Sequence, residues 1–388
     1  MNILYLNFLP IISYIGGVQK ITDTISKELL HRGHHIIYVH YKKTAIPEGY
    51  EFTCPQYYLN PNSNSFCDEW LKLMEEFHID VVINQRCDEI SNKLLSITPP
   101  SIKRITILHI QPFTGLDYVR KLAKVSQPTS LKEWILKIVG IIFPGVSRYY
   151  STKKEILMLD QVIEKNDKIC VFSNGYIERI KRFYPSADIR KFVVIPNPNT
   201  LEVGMKNNFK RQKQNVVLFV GRLYNNPKNV IDLLQIWNLF RLDNPGWECY
   251  IVGDGPEKER FESYCSTNHI EGVVFCGRQE NVSEYYEKSK IFCLTSIHES
   301  WNLCLVEAMS KGSVPIAFGS YEAVSDIIDD KRNGYIVKPF QKKQMVEYLN
   351  RLSKNDELLT LMSEAAMEKS RVFNLQTIVD RWEQLISE

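Results

Sequence analysis

The stretch Val216-Val217-Leu218-Phe219-Val220-Gly221-Arg222-Leu223 decides the fold of this chain. An unbroken apolar run leads directly into a glycine and an arginine. Strands that are apolar on both faces are typical of parallel sheets that helices cover on both sides. The stretch therefore predicts a buried parallel strand whose end carries polar groups at the edge of a sheet.

Similar apolar runs recur in two series, with helical stretches of amphipathic period between them. The first series of predicted strands comprises residues 3–9, 35–41, 81–84, 105–110, 169–173 and 192–196. The second series comprises residues 216–221, 249–253, 273–277, 291–295, 314–318 and 334–337. Because the same α/β pattern occurs twice, the sequence predicts two α/β domains with parallel sheets.

A break in the pattern separates the two series. Residues 195–199 read Ile-Pro-Asn-Pro-Asn, and the polar stretch 206–215 follows with almost no apolar anchor. We therefore predict a first domain over residues 1–197 and a second over residues 198–370. Residues 375–386 have the period of an amphipathic helix that follows the second domain.

The composition excludes several classes of protein. With 388 residues, 44% hydrophobic and 24% charged, the chain is an ordinary globular protein of two domains. A net charge of +3 gives no reason to expect nucleic acid as a partner. There is no apolar run long enough for a membrane span and no signal peptide, so we expect a cytoplasmic protein. The nine cysteines include no C-x-x-C pair, which favours reduced thiols.

One segment stands apart from the α/β pattern. Residues 120–154 combine the apolar run 134–144 with several lysines and arginines on both sides. A basic, apolar segment of this length is suited to the surface of an anionic membrane. A helix packed on the first sheet explains the same pattern, and both interpretations stay open.

Two groups of candidate residues follow predicted strands of the two domains. Gly16-Gly17 opens the first helix, where backbone N–H groups approach an anion closely. Arg222 and Lys228 follow the strand quoted above, at the edge where open α/β sheets bind ligands, and together they suit a diphosphate. The alternatives are a tight turn for the glycines and two solvated cations for Arg222 and Lys228.

Two glutamates and a histidine complete the candidate residues. Glu299 lies in a loop after a strand, and Glu307 lies eight residues on in an apolar helix, where a buried carboxylate needs a partner. Sugar or ribose hydroxyls are suitable donors, and a lysine or the backbone is the alternative. His109 ends a predicted strand at the same kind of edge, and the alternative is a satisfied core or surface histidine.

In order and spacing these residues resemble the retaining GT-B glycosyltransferases of glycosyltransferase family 4 (group 1). The resemblance covers nearly the whole chain and rests on the following matches: Gly16-Gly17, His109, Gly221-Arg222-Leu223 with Lys228, the E-x7-E pair Glu299 and Glu307 followed by Ala308-Met309, and Gly312-Ser313-Val314-Pro315-Ile316. It implies two Rossmann-like domains that face each other across a cleft. It also implies that a C-terminal helix, residues 371–388, crosses back onto the first domain.

The resemblance assigns roles to individual residues. The predicted catalytic residues are His109, Glu299, Arg222 and Lys228. The predicted donor-binding residues are Gly16, Gly17, Arg222, Lys228, Arg278, Glu299, Asn302, Leu303, Cys304 and Glu307. Within the donor site, Arg222 and Lys228 would hold the diphosphate, and Arg278 the base. This chain has Trp301-Asn302 where family members commonly carry Phe-Gly, which affects the identity of the donor sugar.

The implied function is the transfer of a hexose or N-acetylhexosamine from a nucleotide diphosphate sugar, with UDP favoured over GDP, to a glycan or lipid-linked acceptor. Bacterial surface polysaccharide synthesis is the expected setting, with contact to the inner face of the cytoplasmic membrane. No D-x-D triplet occurs in the chain, so we expect neither a metal nor a further cofactor. A sugar-nucleotide epimerase of the same fold and a non-catalytic sugar-nucleotide-binding protein are the alternative functions.

Overall fold

A computed structural model describes residues 1–115, 144–201 and 213–388, together with positions 131, 134, 135, 138 and 142. The chain divides into two compact units. The first comprises Met1–Phe113, Thr152–Thr200 and Leu375–Glu388, and the second comprises Thr114–Ser151 and Leu201–Asn374. Most of the predicted basic, apolar segment 120–154 lies outside the described residues.

The first unit is built on a seven-stranded sheet in the order β3-β2-β1-β4-β5-β6-β7, in which all neighbours are parallel. Its strands are β1 (Asn2–Asn7), β2 (His35–His40), β3 (Gln56–Tyr58), β4 (Val81–Asn84), β5 (Lys103–Ile107), β6 (Lys168–Val171) and β7 (Phe192–Val194). Its helices are α1 (Gly17–His31), α2 (Phe66–Glu76), α3 (Glu89–Ile97), α4 (Pro144–Lys165), which enters this unit at Thr152, and α5 (Asn174–Phe183), with a 3₁₀ turn at Ile189–Lys191. The sheet is buried because its central strands are apolar on both faces.

The second unit is built on a six-stranded parallel sheet in the order β10-β9-β8-β11-β12-β13. Its strands are β8 (Gln214–Val220), β9 (Glu248–Val252), β10 (Val273–Gly277), β11 (Ser289–Leu294), β12 (Val314–Phe318) and β13 (Tyr335–Val337). Its helices are α6 (Asn225–Lys228), α7 (Val230–Asp243), α8 (Lys258–Thr267), α9 (Ser283–Lys288), α10 (Leu303–Ser310), α11 (Val324–Ile327), α12 (Lys342–Ser353) and α13 (Asp356–Ser370), followed by a 3₁₀ turn at Arg371–Phe373.

The twelve predicted strands are all present, and the structure adds one. The added strand is β3, a three-residue edge strand of mixed burial that carries no apolar run for sequence analysis to detect. Several strands, including β1, β5, β6 and β7, end earlier than predicted. Because β5 ends at Ile107, the prediction that His109 ends a strand is wrong. His109 lies two residues beyond the strand, in the loop that follows it.

The helix α14 (Leu375–Ser387) belongs to the first unit, although it follows the second in the chain. Arg32, which follows α1, binds Asp380 and Glu383 of this helix through the same Nη1 atom, at 2.6 Å each. Trp382 is buried within the unit. Charge pairing and an apolar face together fix α14 to this unit.

The strand orders define where each unit is suited to bind a ligand. In the first unit the chain runs outward from β1 in one direction and resumes at β4 in the other. In the second unit the corresponding neighbours are β8 and β11. Open α/β sheets bind ligands beyond the carboxyl ends of strands at such a reversal of strand order. Within the described residues, no helix combines the length and the apolar character needed to cross a bilayer.

Candidate functional site

The loops after β8 and β11 meet at the reversal of strand order in the second unit. After β8 the chain forms the short helix α6, and Asn229 then adopts a left-handed conformation with φ 55° before α7 begins. Lys228 therefore ends a four-residue helix, two residues before α7 begins at Val230. The sharp turn at Asn229 leaves the Lys228 side chain at the edge of the sheet.

Lys228 and Glu299 form an ion pair at this edge. The distance from Lys228 Nζ to Glu299 Oε1 is 2.6 Å, and both side chains are less than one fifth exposed. The hydroxyl of Ser296 donates to the same carboxylate oxygen at 2.7 Å. The structure thus brings together two of the predicted site residues, one from each of the loops that flank the reversal.

The electrostatic balance at Lys228 favours the charged ammonium. Burial lowers the pKa of Lys228, but Glu299, and Cys304 to a smaller extent, raise it by more, so the net pKa lies above the ordinary lysine value. The positive charge of Arg222 lowers the pKa of Lys228 slightly, because a like charge nearby disfavours the protonated ammonium. Lys228 is accordingly a fixed cation at neutral pH.

Backbone contacts hold the two loops against each other. The hydroxyl of Thr295 donates to the carbonyl oxygens of Lys228 and Asn229 at 3.2 and 3.1 Å. The N–H of Ile297 donates to the carbonyl oxygen of Pro227 at 2.7 Å. Because the backbone itself is tied, the Lys228–Glu299 pair is positioned by the loops as well as by its own attraction.

The turn after β9 packs its backbone against the turn after β8. A Cβ atom on Gly253, whose φ is +135°, would lie 1.9 Å from the carbonyl oxygen of Gly221. A Cβ on Gly255 would lie 2.5 Å from the carbonyl oxygen of Leu223. Only glycine fits at these two positions, so the Gly-Asp-Gly turn is explained by close backbone approach.

Glu307 has a buried partner inside the second unit. Glu307 is 5% exposed, and the hydroxyl of the fully buried Tyr286 donates to its Oε2 at 3.0 Å. Burial, with Cys304 and Glu307 beside it, raises the pKa of Tyr286 well above its ordinary value, so it stays a neutral donor. Tyr286 is thus one partner of Glu307 inside the unit, and it is a residue type that the sequence analysis did not consider.

Helix α10 begins between the two glutamates. The side chain of Asn302 caps the helix by accepting from the N–H of Leu305 at 2.9 Å. Trp301 is 7% exposed, and its ring packs edge-on against Phe373 with 5.1 Å between centroids. Both residues therefore stabilise the local structure: Trp301 packs in the interior of the unit, and Asn302 caps α10.

The remaining predicted residues of the second unit lie at the same sheet edge or at the start of α10. Arg222 and Arg278 follow β8 and β10 and are exposed, and Leu303 and Cys304 occupy the first turn of α10. The roles predicted for these residues toward a donor stay predictions. Within the described part of the chain, no group of three or more His, Cys, Asp or Glu side chains is placed to hold a metal ion.

His109 lies in a cavity of the first unit, about 530 Å³ in volume. Its Nε2 shares a hydrogen bond with Oε1 of Gln85, and its ring lies 5.6 Å from that of Phe172. Burial, with a smaller effect from the charge of Arg86, lowers the pKa of His109 to about 4. The first turn of α1, after Gly16-Gly17, contributes Val18 and Gln19 to the cavity wall.

Sequence analysis did not predict three residues that form hydrogen bonds with the predicted site residues: Ser296, Gln85 and Tyr286. Ser296 and Gln85 each directly follow another polar residue at the end of a buried strand, and that signal was available in the sequence. Tyr286 lies in α9 among charged residues and carries no such signal. Partners contributed by a different element depend on tertiary packing, which periodicity does not encode.

Comparison with known proteins gives a family and a fold. Residues 202–369 match the model of the family described as glycosyl transferases group 1. An uncharacterized glycosyltransferase of Haemophilus influenzae is 32% identical over 195 residues, which cover 50% of this chain and 54% of that one. A Campylobacter jejuni α-1,4-N-acetyl-D-galactosaminyltransferase is 28% identical over 227 residues, covering 58% of this chain and 59% of that one. This chain thus spans little more than half the length of these relatives.

The second of these relatives is named for its acceptor, GalNAc-α-(1→4)-GalNAc-α-(1→3)-diNAcBac-PP-undecaprenol. Among solved structures, Anabaena HepE in complex with UDP aligns with a TM-score of 0.73 at 14% identity over 100% of both chains. At that identity the likeness concerns the fold alone, and with the two parallel sheets it confirms the predicted GT-B class of two α/β domains. The match of residues 202–369 to the group 1 glycosyltransferase model agrees with the resemblance seen in the sequence, while family 4 and the retaining stereochemistry stay predictions.

Proposed function

We propose that the protein is a glycosyltransferase. It would move a hexose or N-acetylhexosamine from a nucleotide diphosphate sugar, with UDP favoured over GDP, to a glycan or lipid-linked acceptor in bacterial surface polysaccharide synthesis. The observation that supports this most directly is the Lys228–Glu299 pair at the reversal of strand order in the second unit. The family match of that unit and the UDP complex of a protein with the same fold support it further.

In this proposal the donor lies at the β8–β11 edge. The planar fork of Arg222 and the ammonium of Lys228 hold the diphosphate, because two fixed cations offset its charge without a metal ion. A diphosphate at Lys228 weakens the pull of the ammonium on Glu299 and leaves that carboxylate to accept from hydroxyls of the donor sugar. Glu307, held by Tyr286, accepts from the ribose hydroxyls.

The proposed transfer retains the configuration at the anomeric carbon. The bond from that carbon to the diphosphate oxygen breaks, the bond to the acceptor oxygen forms on the same face, and the acceptor proton passes to the departing diphosphate. Arg222, Lys228 and the backbone N–H groups at the start of α10 stabilise the charge that develops on the leaving group. Neutral His109 contacts the sugar near the reacting centre as a hydrogen-bonding group.

Alanine variants of the two cations test the proposal. Lys228→Ala and Arg222→Ala are each expected to weaken UDP binding and to lower kcat/KM for transfer. The loss of transition-state stabilisation is about 2–4 kcal/mol in each variant, because the contact tightens as the leaving group gains charge. Titration calorimetry with UDP and a donor-hydrolysis screen across UDP- and GDP-sugars provide the measurements.

Lys343→Ala is the matched control, since Lys343 is an exposed lysine of α12 in the same unit. Unchanged UDP affinity and turnover in both site variants, with folding intact, would remove the assignment. Product analysis with and without a saccharide acceptor separates transfer from epimerisation, because an epimerase changes the sugar nucleotide without any acceptor.

Contact with the cytoplasmic face of the membrane is part of the proposal. Among the described residues of the segment 120–154, exposed apolar side chains recur at helical intervals: Leu131, Trp134, Ile135, Ile138 and Ile142. The lysines and arginines of the same segment would attract anionic lipid, each by about 1 kcal/mol. Co-sedimentation with anionic vesicles at low and at high salt tests this, with neutral vesicles as the control. Failure to bind anionic vesicles at low salt rules it out.

A further inference from the structure

A group of cations surrounds an aromatic ring at the sheet edge of the first unit. Phe8 follows β1, and the guanidinium of Arg86, which follows β4, lies 4.5 Å from the centre of its ring. The ammonium of Lys42, which follows β2, lies 4.8 Å from the same ring centre. Lys43 lies 4.7 Å from the ring of Tyr58 at the end of β3. We call Lys42, Lys43 and Arg86 the cationic rim.

The carboxylate nearest to the rim is engaged elsewhere. Asp88 accepts from the hydroxyl of Tyr41 at 2.6 Å and from the N–H of Ser91 at 2.9 Å, and so caps α3. Its distance to Arg86 Nε is 3.7 Å, which is long for a charge-assisted hydrogen bond. Lys42 and Lys43 form no ion pair with any residue in the described ranges. The rim therefore keeps a net positive charge at neutral pH.

The rim adjoins the cavity that contains His109. Arg86 of the rim and the Phe8 ring beneath it both line the cavity. Gln85, the partner of His109, directly precedes Arg86 in the chain. Apolar side chains such as Ile11 and Leu159 form much of the remaining wall. Because β1 and β4 flank the reversal of strand order, the rim and the cavity occupy the place where the first sheet is suited to bind a ligand.

We propose that the first unit selects an acceptor that carries a phosphate or diphosphate group, and that Arg86 and Lys42 bind this group. The inference rests on the proposed transferase function and specifies its acceptor. A guanidinium fork matches two phosphate oxygens, and a neighbouring ammonium adds a second charge. With the phosphate at Arg86, a sugar linked to it lies beside Gln85 and His109.

A binding experiment tests the proposal independently of turnover. The protein is first saturated with UDP, which occupies the diphosphate site of the second unit, and is then titrated calorimetrically with geranyl diphosphate or with inorganic pyrophosphate. Arg86→Gln and Lys42→Gln are compared with Arg190→Gln and Lys72→Gln, which remove the same charges from exposed positions of the same unit. Thermal unfolding of each variant checks that it is folded.

Geranyl diphosphate is expected to bind the UDP-loaded protein and to bind at least about tenfold more weakly to each rim variant, while both controls match the unmodified protein. Tighter binding of geranyl diphosphate than of pyrophosphate would place the acceptor among phosphate-linked lipids, and equal binding among soluble phosphorylated sugars. The absence of binding, or equal affinity in rim variants and controls, overturns the proposal. The titration with UDP alone reports separately on the donor site of the proposed function, so the two failures are distinguishable.

Discussion

At neutral pH the side chain of His109 is an uncharged imidazole, because burial and the charge of Arg86 lower its pKa to about 4. An unfolded histidine has a pKa of about 6.5. Between these two values the unfolded chain binds a proton at this position that the folded chain does not. Acidification from pH 7 toward pH 4 therefore shifts the equilibrium toward unfolding.

Replacing His109 tests this linkage. His109→Gln is expected to flatten the loss of stability between about pH 6.5 and pH 4, where the native histidine costs up to about 3 kcal/mol. Well above pH 6.5, His109 is unprotonated in both the folded and the unfolded chain, so no pH dependence from this residue is expected there. Thermal unfolding of both proteins from pH 4 to pH 8 measures it. Parallel curves for the two proteins would contradict the assigned pKa.

The two cations of the proposed donor site lead us to expect that the reaction does not depend on a metal ion. Arg222 and Lys228 supply the positive field that a metal ion would otherwise provide for a leaving diphosphate. We expect donor hydrolysis and transfer to survive excess EDTA with their rates unchanged. Loss of turnover on chelation, restored by Mg²⁺ or Mn²⁺, would refute the metal-free mechanism.

Single residues of the candidate site were predictable from the sequence wherever a polar group directly follows a buried strand. Arg222, Lys228 and Glu299 were singled out because they follow buried strands, and Glu307 because a carboxylate in an apolar helix needs a partner. Their partners were harder to predict. That Glu299 pairs with Lys228, 71 positions earlier, and Glu307 with Tyr286 depends on which loops meet, and only the three-dimensional structure shows this.

At the scale of the elements, the close approach of two turns in the second unit limits what can replace Gly253. A Cβ at this position meets the carbonyl oxygen of Gly221 at 1.9 Å, and the φ of +135° adds backbone strain. Gly253→Ala is therefore expected to lower the free energy of unfolding by at least about 2 kcal/mol. Urea denaturation followed by tryptophan fluorescence measures the change.

Gly246→Ala is the matched control for this prediction. Gly246 also lies in a turn of the second unit, but a Cβ there would have no heavy atom within 4 Å. The expected change is within about 0.5 kcal/mol. Similar losses of unfolding free energy in both variants would show that the effect comes from replacing a glycine in general. The close approach of the two turns would then not be its cause.

The elements themselves were predictable to the extent that apolar runs mark them. All but one of the strands carry such a run. The exception, β3, lies at the edge of its sheet with the sequence Gln-Tyr-Tyr. An edge strand with little burial needs no apolar pattern, so sequence periodicity gave no signal there. The end of β5 was misplaced because the apolar run continues through Leu108 into the following loop.

At the scale of the whole molecule, α14 is a structural part of the first unit. Trp382 is 3% exposed within that unit, while Gln384, two residues further along the same helix, is exposed. Trp382→Ala is expected to cost about 3–5 kcal/mol of unfolding free energy, as buried tryptophans do. Gln384→Ala is expected to change it by no more than about 0.5 kcal/mol.

Calorimetric unfolding measures the stability of both variants. The loss of stability in Trp382→Ala is expected in the first unit. UDP binding at the second unit should persist in Trp382→Ala below the unfolding transition. Equal stability of the two variants would contradict the packing of α14.

The position of α14 in the chain has a consequence for how the protein is made. A ribosome synthesises residues 1–113 and 152–200 of the first unit before residues 201–374, yet the helix that completes this unit appears only after them. The first unit to begin synthesis is thus the second to be completed. A nascent chain that stops at Asn374 leaves the apolar surface that α14 covers open to water, and chaperones recognise surfaces of this kind. The first unit therefore becomes complete only after α14 has been synthesised.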